Sequence, residues 1–191
     1  MMVRAGLSAD RITVAAADLA DEVGFDKITV TALARGFGVK DASLYSHVRS
    51  AEDLRLRVAR LAALDFADAL GAAVAGRAGP DAVTAFADAY REFALAHPGR
   101  YAATQYQIAP EVTMESAGHL RLMELTAATL RGYGLSEADQ TDAVRMLRSA
   151  FTGFIAIEQS GGFQHSRDVD TSWNRMVAAL ADLLTHWPPA A

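Results

Sequence analysis

Residues 28–48 of the 191-residue chain read ITVTALARGFGVKDASLYSHV, and they carry the most informative spacing of the sequence. Within it, Ala34, Gly38 and Leu44 are spaced as in a helix-turn-helix, which joins two short helices through a tight turn containing glycine. The small side chain of Ala34 lets the helices cross closely, and Gly38 provides the turn. Leu44 and Val39 supply the apolar anchors of the second helix. The spacing therefore predicts a helix-turn-helix.

The bounds of the two short helices follow from a capping residue and from the glycines. Thr29 is a suitable N-cap for a helix over about Val30–Gly36, because its hydroxyl can accept a hydrogen bond from a free amide of the first turn. The glycine-bearing turn spans 36–39, and the second helix is expected over about Lys40–His47. No segment of the chain alternates apolar and polar residues with a period of two, so we expect no strand.

The rest of the chain also has helical periodicity. Ile12, Ala16, Leu19 and Val23 recur every three or four residues, which places them on one helix face. The other predicted helices span about Ser8–Val23 with Ser8 as N-cap, 51–74 after the N-cap Ser50, Asp81–Ala96, a short piece at Arg100–Gln105, Glu111–Tyr133, Ser136–Ser160 and Val169–His186. The pattern predicts an all-α protein of about nine helices.

Charge is distributed unevenly along the chain. The formal net charge is −5, which excludes a uniformly basic protein that coats nucleic acid. Residues 1–60 nevertheless contain nine basic and eight acidic side chains, whereas the remaining residues contain nine basic and fifteen acidic ones. This asymmetry is a mild indication that the N-terminal part meets a polyanion, and chance fluctuation is the alternative explanation.

Features typical of enzymes, metal sites and membrane segments are missing from the sequence. Cysteine is absent, which excludes a disulfide framework and a thiolate zinc site. The five histidines never fall three or four residues apart, and no nucleophile-elbow or phosphate-loop motif occurs. No apolar stretch approaches the length of a membrane span, about 18 residues. We therefore expect a cytoplasmic protein that is not an enzyme and has no cofactor, metal ion or membrane partner.

Residues 8–56 resemble, in unbroken order, the DNA-binding domain of TetR-family transcriptional regulators. The Leu-Tyr-x-His element at 44–47 is the most specific part of the match, and the stretch at 50–54 supports it. The resemblance implies an N-terminal helix-turn-helix DNA-binding domain over residues 1–50. It also implies a helical ligand-binding and dimerisation domain over residues 51–191, whose length and helical pattern suit that role.

The same resemblance implies which residues meet DNA. The second short helix is the recognition helix, and its N-terminal end reaches base edges in the major groove. Hydroxyls and cationic side chains are groups that hold phosphate. The implied base contacts are Lys40, Asp41, Ala42 and Ser43, and the implied phosphate contacts are Thr29, Tyr45 and His47. Packing between helices is the alternative role for Tyr45, and an ordinary surface position is the alternative for His47.

The last two predicted helices carry apolar residues on more than one side, which is typical of helices that pack on two surfaces. Two such helices from each of two chains can form a four-helix interface, so we expect a homodimer. The predicted dimer residues are Leu147, Phe154, Met176, Leu180 and Leu183. The alternative is that both helices are buried within one chain.

Aromatic and sulfur-containing side chains concentrate in the middle of the chain, as they do around small-ligand pockets. The predicted pocket residues are Phe66, Tyr90, Phe93, Tyr101, Tyr106, Met123 and Phe151, and an ordinary core is the alternative for each. We predict a homodimeric repressor that binds double-stranded DNA at a pseudo-palindromic operator and is released by a small, largely apolar molecule. The alternative function is a helical small-molecule-binding or scaffold protein without operator-specific DNA binding.

Overall fold

A computed structural model describes residues 6–188 of the chain as a succession of helices. The described residues contain ten α-helices and two 3₁₀ turns, and none of them lies in a β-strand. The helices are α1 Ala9–Val23, α2 Val30–Phe37, α3 Asp41–Tyr45, α4 Ala51–Val74, α5 Gly79–Ala96, α6 Pro98–Thr104, α7 Pro110–Met114, α8 Ala117–Leu130, α9 Glu137–Gln159 and α10 Val169–Thr185, and the 3₁₀ turns are Phe25–Lys27 and Arg131–Tyr133. The all-α prediction is confirmed for this part of the chain.

Three helices begin at the serine or threonine that the sequence predicted as N-cap. The hydroxyls of Ser8, Thr29 and Ser50 each accept a hydrogen bond from the backbone amide three residues further on, at 3.2, 3.1 and 3.0 Å. Such a cap satisfies one of the amides that a helix leaves without a partner, and it contributes about 1 kcal/mol to stability.

One predicted helix is wrong, because the segment Glu111–Tyr133 is divided into pieces. Helix α7 ends at Met114, α8 begins at Ala117, and a 3₁₀ turn follows α8. Ser116 lies in the break, and its hydroxyl pairs with the ring nitrogen Nδ1 of His119 at 2.7 Å. Serine side chains that form such local hydrogen bonds compete with the helical backbone, which accounts for the interruption.

The second helix of the helix-turn-helix is shorter than predicted. Lys40 precedes α3 with an extended backbone (φ −78°, ψ 148°), and Ser46 ends it. The Ser46 hydroxyl donates a hydrogen bond to the carbonyl of Ser43 at 2.8 Å, which closes the last turn of the helix. Lys40 and His47, both expected within this helix, therefore flank it.

The described chain forms two compact units. Unit 1 comprises the residues up to Phe66 together with His97–Leu120, and unit 2 comprises Ala67–Ala96 together with the residues from Arg121 onward. Helix α4 therefore contributes to both units, and the segment that contains α6 and α7 belongs with the N-terminal helices. The division at residue 50 that the sequence suggested concerns functional modules, and it remains a prediction.

The core of unit 1 is built from the apolar faces of α1, α2, α3 and the first part of α4. Ile12, Leu33, Leu44 and Leu54 are buried there, and Ala103 of α6 belongs to the same cluster. Burying one leucine or isoleucine side chain contributes about 1.5–3 kcal/mol. The helix-turn-helix is thus held by a core that includes a residue from far along the chain.

Helix α6 lies directly against α1. A Cβ atom at Gly99 would come within 3.0 Å of the backbone of Ala20 and Asp21, so this approach requires glycine. The backbone amide of Arg100 donates a hydrogen bond to Asp21 Oδ1 at 2.8 Å, and the Arg100 guanidinium pairs with carboxylates of α1 and α4. Burial acts to lower the pKa of Arg100, but these carboxylates outweigh it and raise that pKa above the ordinary value.

The core of unit 2 is aromatic. The ring centroid of Phe151 lies 5.5 Å from that of Tyr90 and 5.5 Å from that of Trp173, which joins α5, α9 and α10. The indole Nε1 of Trp173 donates a hydrogen bond to Asp88 Oδ1 at 2.8 Å. The largest side chain of this core therefore has its polar atom satisfied.

An ion cluster centred on Arg91 also joins these three helices. The Arg91 Nε donates to Glu158 Oε2 at 2.8 Å, and Nη2 donates to Asp170 Oδ1 at 2.7 Å. The guanidinium also lies over the rings of Trp173 and Phe154, at 5.5 and 6.0 Å from their centroids. The hydrogen bond with Glu158 is the main reason that the pKa of Arg91 is raised above the ordinary value.

Among the helices of residues 6–188, none is both long enough and apolar enough to span a lipid bilayer.

Candidate nucleic-acid interface

The turn between α2 and α3 depends on Gly38. Its backbone is left-handed (φ 66°, ψ 32°), a conformation that costs a residue with a Cβ atom about 1–2 kcal/mol. The amide of Gly38 bonds to the carbonyl of Arg35 at 3.1 Å, and the amide of Val39 bonds to that of Ala34 at 3.0 Å. This pair of bonds is a Schellman motif, which ends α2 and redirects the chain into α3.

One side of α3 is anchored in the core of unit 1. Leu44 is completely buried, and Val48, just beyond the helix, is almost completely buried. Leu33 and Ala34 of α2 are buried in the same cluster. These contacts confirm the packing that the spacing of Ala34, Gly38 and Leu44 predicted.

The other side of α3 is open to solvent. Lys40, Ala42 and Ser43 are exposed, and Tyr45 leaves 53% of its surface exposed. Asp41 and His47 are half-buried. Six of the seven predicted DNA contacts therefore lie on or directly beside one short helix. The exposure of Tyr45 argues against its alternative role as a residue packed between helices.

The seventh predicted contact, Thr29, lies at the start of α2. Its hydroxyl oxygen already accepts the hydrogen bond that caps this helix. A threonine hydroxyl also has one proton to donate, so Thr29 can cap the helix and still donate a hydrogen bond to a phosphate oxygen. The side chain is exposed, as such a contact requires.

Thr31 is a residue of this site that the sequence analysis missed. Its hydroxyl Oγ1 donates a hydrogen bond to Asp41 Oδ2 at 2.6 Å and thereby links α2 to the first residue of α3. The pairing crosses the turn and joins residues ten positions apart. No periodicity or capping rule predicts such a contact, so the sequence offered no signal for it.

The segment after α3 is fixed by Asp53. Its Oδ2 atom accepts hydrogen bonds from the backbone amide of Arg49 at 2.9 Å and from Nε of Arg57 at 3.1 Å. The arrangement resembles a capping box, in which the side chain three residues after the N-cap accepts a hydrogen bond from the N-cap amide. Here Asp53 accepts instead from the amide of Arg49, the residue before the N-cap Ser50. Burial acts to raise the pKa of Asp53, but these hydrogen bonds outweigh it and hold the pKa below the ordinary value.

Cations of unit 1 fall into two groups. Lys27, Arg35 and Lys40 are exposed, and no carboxylate of the described residues lies within ion-pair distance of them. By contrast, Arg57 pairs with Asp53, and Nη2 of Arg60 lies 3.6 Å from Glu115. Because these exposed cations have no ion-pair partner among the described residues, their charges are available to a polyanion.

The predicted pocket residues do not form a single group. Tyr90, Phe93 and Phe151 are buried in unit 2. Phe66 and Tyr101 meet edge to face in unit 1, with ring centroids 6.3 Å apart. The other two also lie apart from these: the ring of Tyr106 meets that of Phe25 in the helix-turn-helix core at 5.5 Å, and 58% of Met123 is exposed in unit 2.

A groove of about 450 Å³ lies on the surface of unit 2, but none of the predicted pocket residues lines it. Its lining residues are mostly small or charged: Ala73, Arg77, Asp81, Thr84, Ala85, Asp88, Ala89 and Glu92. Such a lining differs from the aromatic lining that the sequence analysis expected for a largely apolar ligand.

The predicted dimer residues have different environments. Leu147 is only 3% exposed and belongs to the chain's own core. Phe154 packs against the rings of Phe163 and Trp173, with centroid distances of 4.7 and 5.1 Å. The other three lie on α10: Met176 and Leu180 are half-buried, and Leu183 is exposed.

Comparison with known families agrees with the geometry of the site. The family model described as "Bacterial regulatory proteins, tetR family" matches residues 12–58, and the model described as "Tetracyclin repressor-like, C-terminal domain" matches residues 83–180. The chain is also 38% identical over 181 residues to an HTH-type transcriptional regulator of Mycobacterium tuberculosis. This match covers 93% of this chain and 81% of that protein.

Solved structures share the fold. A possible TetR family transcriptional regulator from Streptomyces coelicolor superposes with a TM-score of 0.72 at 20% identity, over 95% of this chain and all of that chain. ActR from Streptomyces coelicolor, solved in complex with actinorhodin, superposes with a TM-score of 0.70 at 19% identity, over 95% of this chain and 98% of that one.

Proposed function

Because the chain belongs to the TetR family of bacterial transcriptional regulators, we propose that it is a homodimeric repressor released from a pseudo-palindromic operator by a small molecule. The family and the relative from Mycobacterium tuberculosis are transcriptional regulators, so the chain is a DNA-binding regulator and not an enzyme. The observation that carries the proposal is the helix-turn-helix itself. Its short α3 is anchored by Leu44 and presents an exposed polar side.

In this proposal α3 enters the major groove, where its first residues reach base edges. Lys40, Asp41, Ala42 and Ser43 meet bases, while Thr29, Tyr45 and His47 hold the phosphate backbone. A dimer places two copies of α3 in successive major grooves, about one helical turn of DNA apart. Operator symmetry therefore follows the two-fold symmetry of the protein.

The dimer interface proposed here uses the outward sides of α9 and α10. Ile157 and Leu183 are 45% and 41% exposed, and Met176 and Leu180 are half-buried. Large apolar side chains exposed along two helices are suited to a four-helix interface with a second copy. Leu147 lies in the chain's own core and leaves little surface for a partner. In this proposal it therefore packs behind the interface and not within it.

The effector in this proposal is small and largely apolar, and it binds among the aromatic side chains of unit 2. Tyr90, Phe93 and Phe151 supply apolar surface, and the Tyr90 hydroxyl lies 3.4 Å from the Thr152 hydroxyl. A few polar groups within an apolar lining are typical of small-ligand sites. The complex of ActR with actinorhodin supports a small-molecule effector for a chain of this fold.

Two elements are suited to pass effector binding on to α3. Helix α4 runs from unit 1 into unit 2, and the segment that follows α5 enters unit 1 and packs on α1 through Gly99 and Arg100. An effector that favours one arrangement of these helices changes the separation of the two recognition helices. Specific binding requires both half-sites at a set spacing, so a small change is sufficient for release.

A gel-shift titration with DNA flanking the protein's own gene tests this proposal. We expect a complex of two chains per duplex, whose affinity falls as salt rises because phosphate contacts release counterions. Lys40→Ala should weaken binding, because each recognition helix loses a cation that meets the bases. The control Arg145→Ala removes an exposed cation of α9 and should leave affinity unchanged. Equal loss in both variants, or no sequence-specific complex, would contradict the proposal.

A further inference from the structure

Asp41 is an unexpected residue on a surface proposed to face DNA. It is the first residue of α3, and Lys40, Ala42 and Ser43 around it are exposed. A carboxylate is repelled by phosphate groups, so it cannot serve as a backbone contact. Its presence there calls for either a structural role within the protein or a role in reading bases.

The structure holds this carboxylate in one orientation. Thr31 Oγ1 donates a hydrogen bond to Asp41 Oδ2 at 2.6 Å, within the short range of charge-assisted O–H···O⁻ bonds. No hydrogen bond to the other oxygen, Oδ1, occurs within residues 6–188. Asp41 thus presents one acceptor atom that its neighbours in the chain leave available, on a side chain whose rotation is already restricted.

Few of the base edges in the major groove can donate a hydrogen bond to Asp41 Oδ1. Guanine presents only acceptors there, at N7 and O6, and thymine presents the acceptor O4. Adenine presents the N6 amino donor beside the acceptor N7, which repels a carboxylate. Cytosine presents only the N4 amino donor, and acidic side chains are its usual partners.

We propose that Asp41 determines operator specificity by accepting a hydrogen bond from the N4 amino group of a cytosine, with Thr31 as the residue that positions its carboxylate. This inference rests on the proposed function, since it requires α3 to lie in the major groove. The exposed methyl group of Ala42 leaves room for close approach to the bases. Lys40, the exposed cation that precedes Asp41 in the chain, reduces the net negative charge that this end of α3 brings to DNA.

The test begins with the operator selected by the wild-type protein from a randomised duplex library. Dissociation constants are then measured by fluorescence anisotropy for duplexes that carry each of the four base pairs at each position. We expect one C·G pair in each half-site at which any replacement weakens binding by about 5- to 150-fold, the usual cost of one mismatched base pair in a specific site. Asp41→Asn should move the preference at that position alone to A·T, because an asparagine amide pairs with N6 and N7 of adenine.

Two further variants separate base reading from a structural role. Asp41→Ala should reduce discrimination at that position to less than about 3-fold and leave discrimination at the other positions unchanged, because it removes only one base contact. Thr31→Val should reduce discrimination there without changing the preferred base pair. The matched control Thr141→Val also removes an exposed threonine hydroxyl, one that bonds to the carbonyl of Glu137 within α9 and not to Asp41, and should preserve discrimination.

The outcomes distinguish this inference from the function on which it rests. If the wild type selects a symmetric operator but Asp41→Asn and Asp41→Ala retain its base preferences at every position, Asp41 does not read a base. If the variants weaken binding equally for all four base pairs, the bond between Thr31 and Asp41 only joins two helices. Either result overturns the inference and leaves the repressor proposal standing. Selection of no sequence by the wild type would overturn both.

Discussion

Replacing Gly99 with alanine is expected to separate α6 from α1. The added Cβ would lie within 3.0 Å of backbone atoms of Ala20 and Asp21, a distance that real Cβ contacts essentially never show. Backbone atoms in a helix cannot rotate away as a flexible side chain can, so α6 must move. Overpacking of this kind costs about 1–3 kcal/mol. The displacement also strains the bonds that Arg100 makes to Asp21, which adds to the loss.

Thermal unfolding measures this loss. For a chain of this length, 1 kcal/mol corresponds to about 2–4 °C in Tm, so Gly99→Ala should lower Tm by about 2–12 °C. The matched control is Gly36→Ala within α2, where an added Cβ meets nothing within 4 Å. Alanine is favoured over glycine in a helix by about 1 kcal/mol, so this control should keep or raise Tm. Protein concentration is held fixed, because the proposed dimerisation would make Tm depend on it.

Unfolding of Gly99→Ala at the temperature of the wild type or above it would contradict this expectation. Such a result would mean that α6 does not approach α1 closely enough to require glycine. A fall in Tm for Gly36→Ala of the same size would instead point to a general effect of glycine replacement.

Three further predictions concern single side chains. Asp53→Asn should lower the free energy of unfolding by about 1 kcal/mol at pH 7, and this difference from wild type should shrink as the pH falls below about 4. The reason is that the pKa of Asp53 is depressed in the folded state, so the stabilisation by its carboxylate is present above the unfolded pKa and is lost as the pH falls through the folded pKa. A difference that stays constant from pH 7 to 3 in urea titrations would disprove this. Arg91→Gln should lower the free energy of unfolding by about 3 kcal/mol, because it leaves Glu158 without its cation. The control Arg145→Gln breaks an exposed ion pair and should lower it by less than about 1 kcal/mol in the same denaturation assay. Equal losses would contradict a stabilising role for the Arg91 cluster. His47→Ala should weaken binding about equally on related operator sequences in gel shifts, and an altered base preference would show that His47 does not contact phosphate.

The parts of the fold that depend on neighbouring residues were predictable from the sequence. The hydroxyl of Thr29 caps α2, Gly38 adopts the left-handed turn, and Leu44 is buried, because each role depends on a few residues on either side. Helix periodicity likewise indicates which face of a helix is apolar. It does not indicate what that face packs against, so Leu147 was predicted for a partner chain but lies in the chain's own core.

The parts that depend on distant residues were not predictable. Tyr106 was expected in a ligand pocket, but its ring packs on Phe25 in the core of the helix-turn-helix. Thr31 was not singled out, because its importance arises only when the turn brings it to Asp41. The aromatic residues of the middle of the chain were correctly recognised as apolar, but composition alone does not assign them to one unit or the other.

The position of α6 against α1 has a consequence for how the protein folds during its synthesis. Arg100 and Asp21 are 79 residues apart, and Ala103 completes a core that otherwise belongs to the first sixty or so residues. A ribosome adds about 5–20 residues per second, so the N-terminal helices emerge several seconds before α6 does. During that interval the carboxylate of Asp21 and the ring of Phe25 lack their native neighbours. The helix-turn-helix part of the chain is thus made first but reaches its final stability late, only after α6 has been synthesised and has packed on α1.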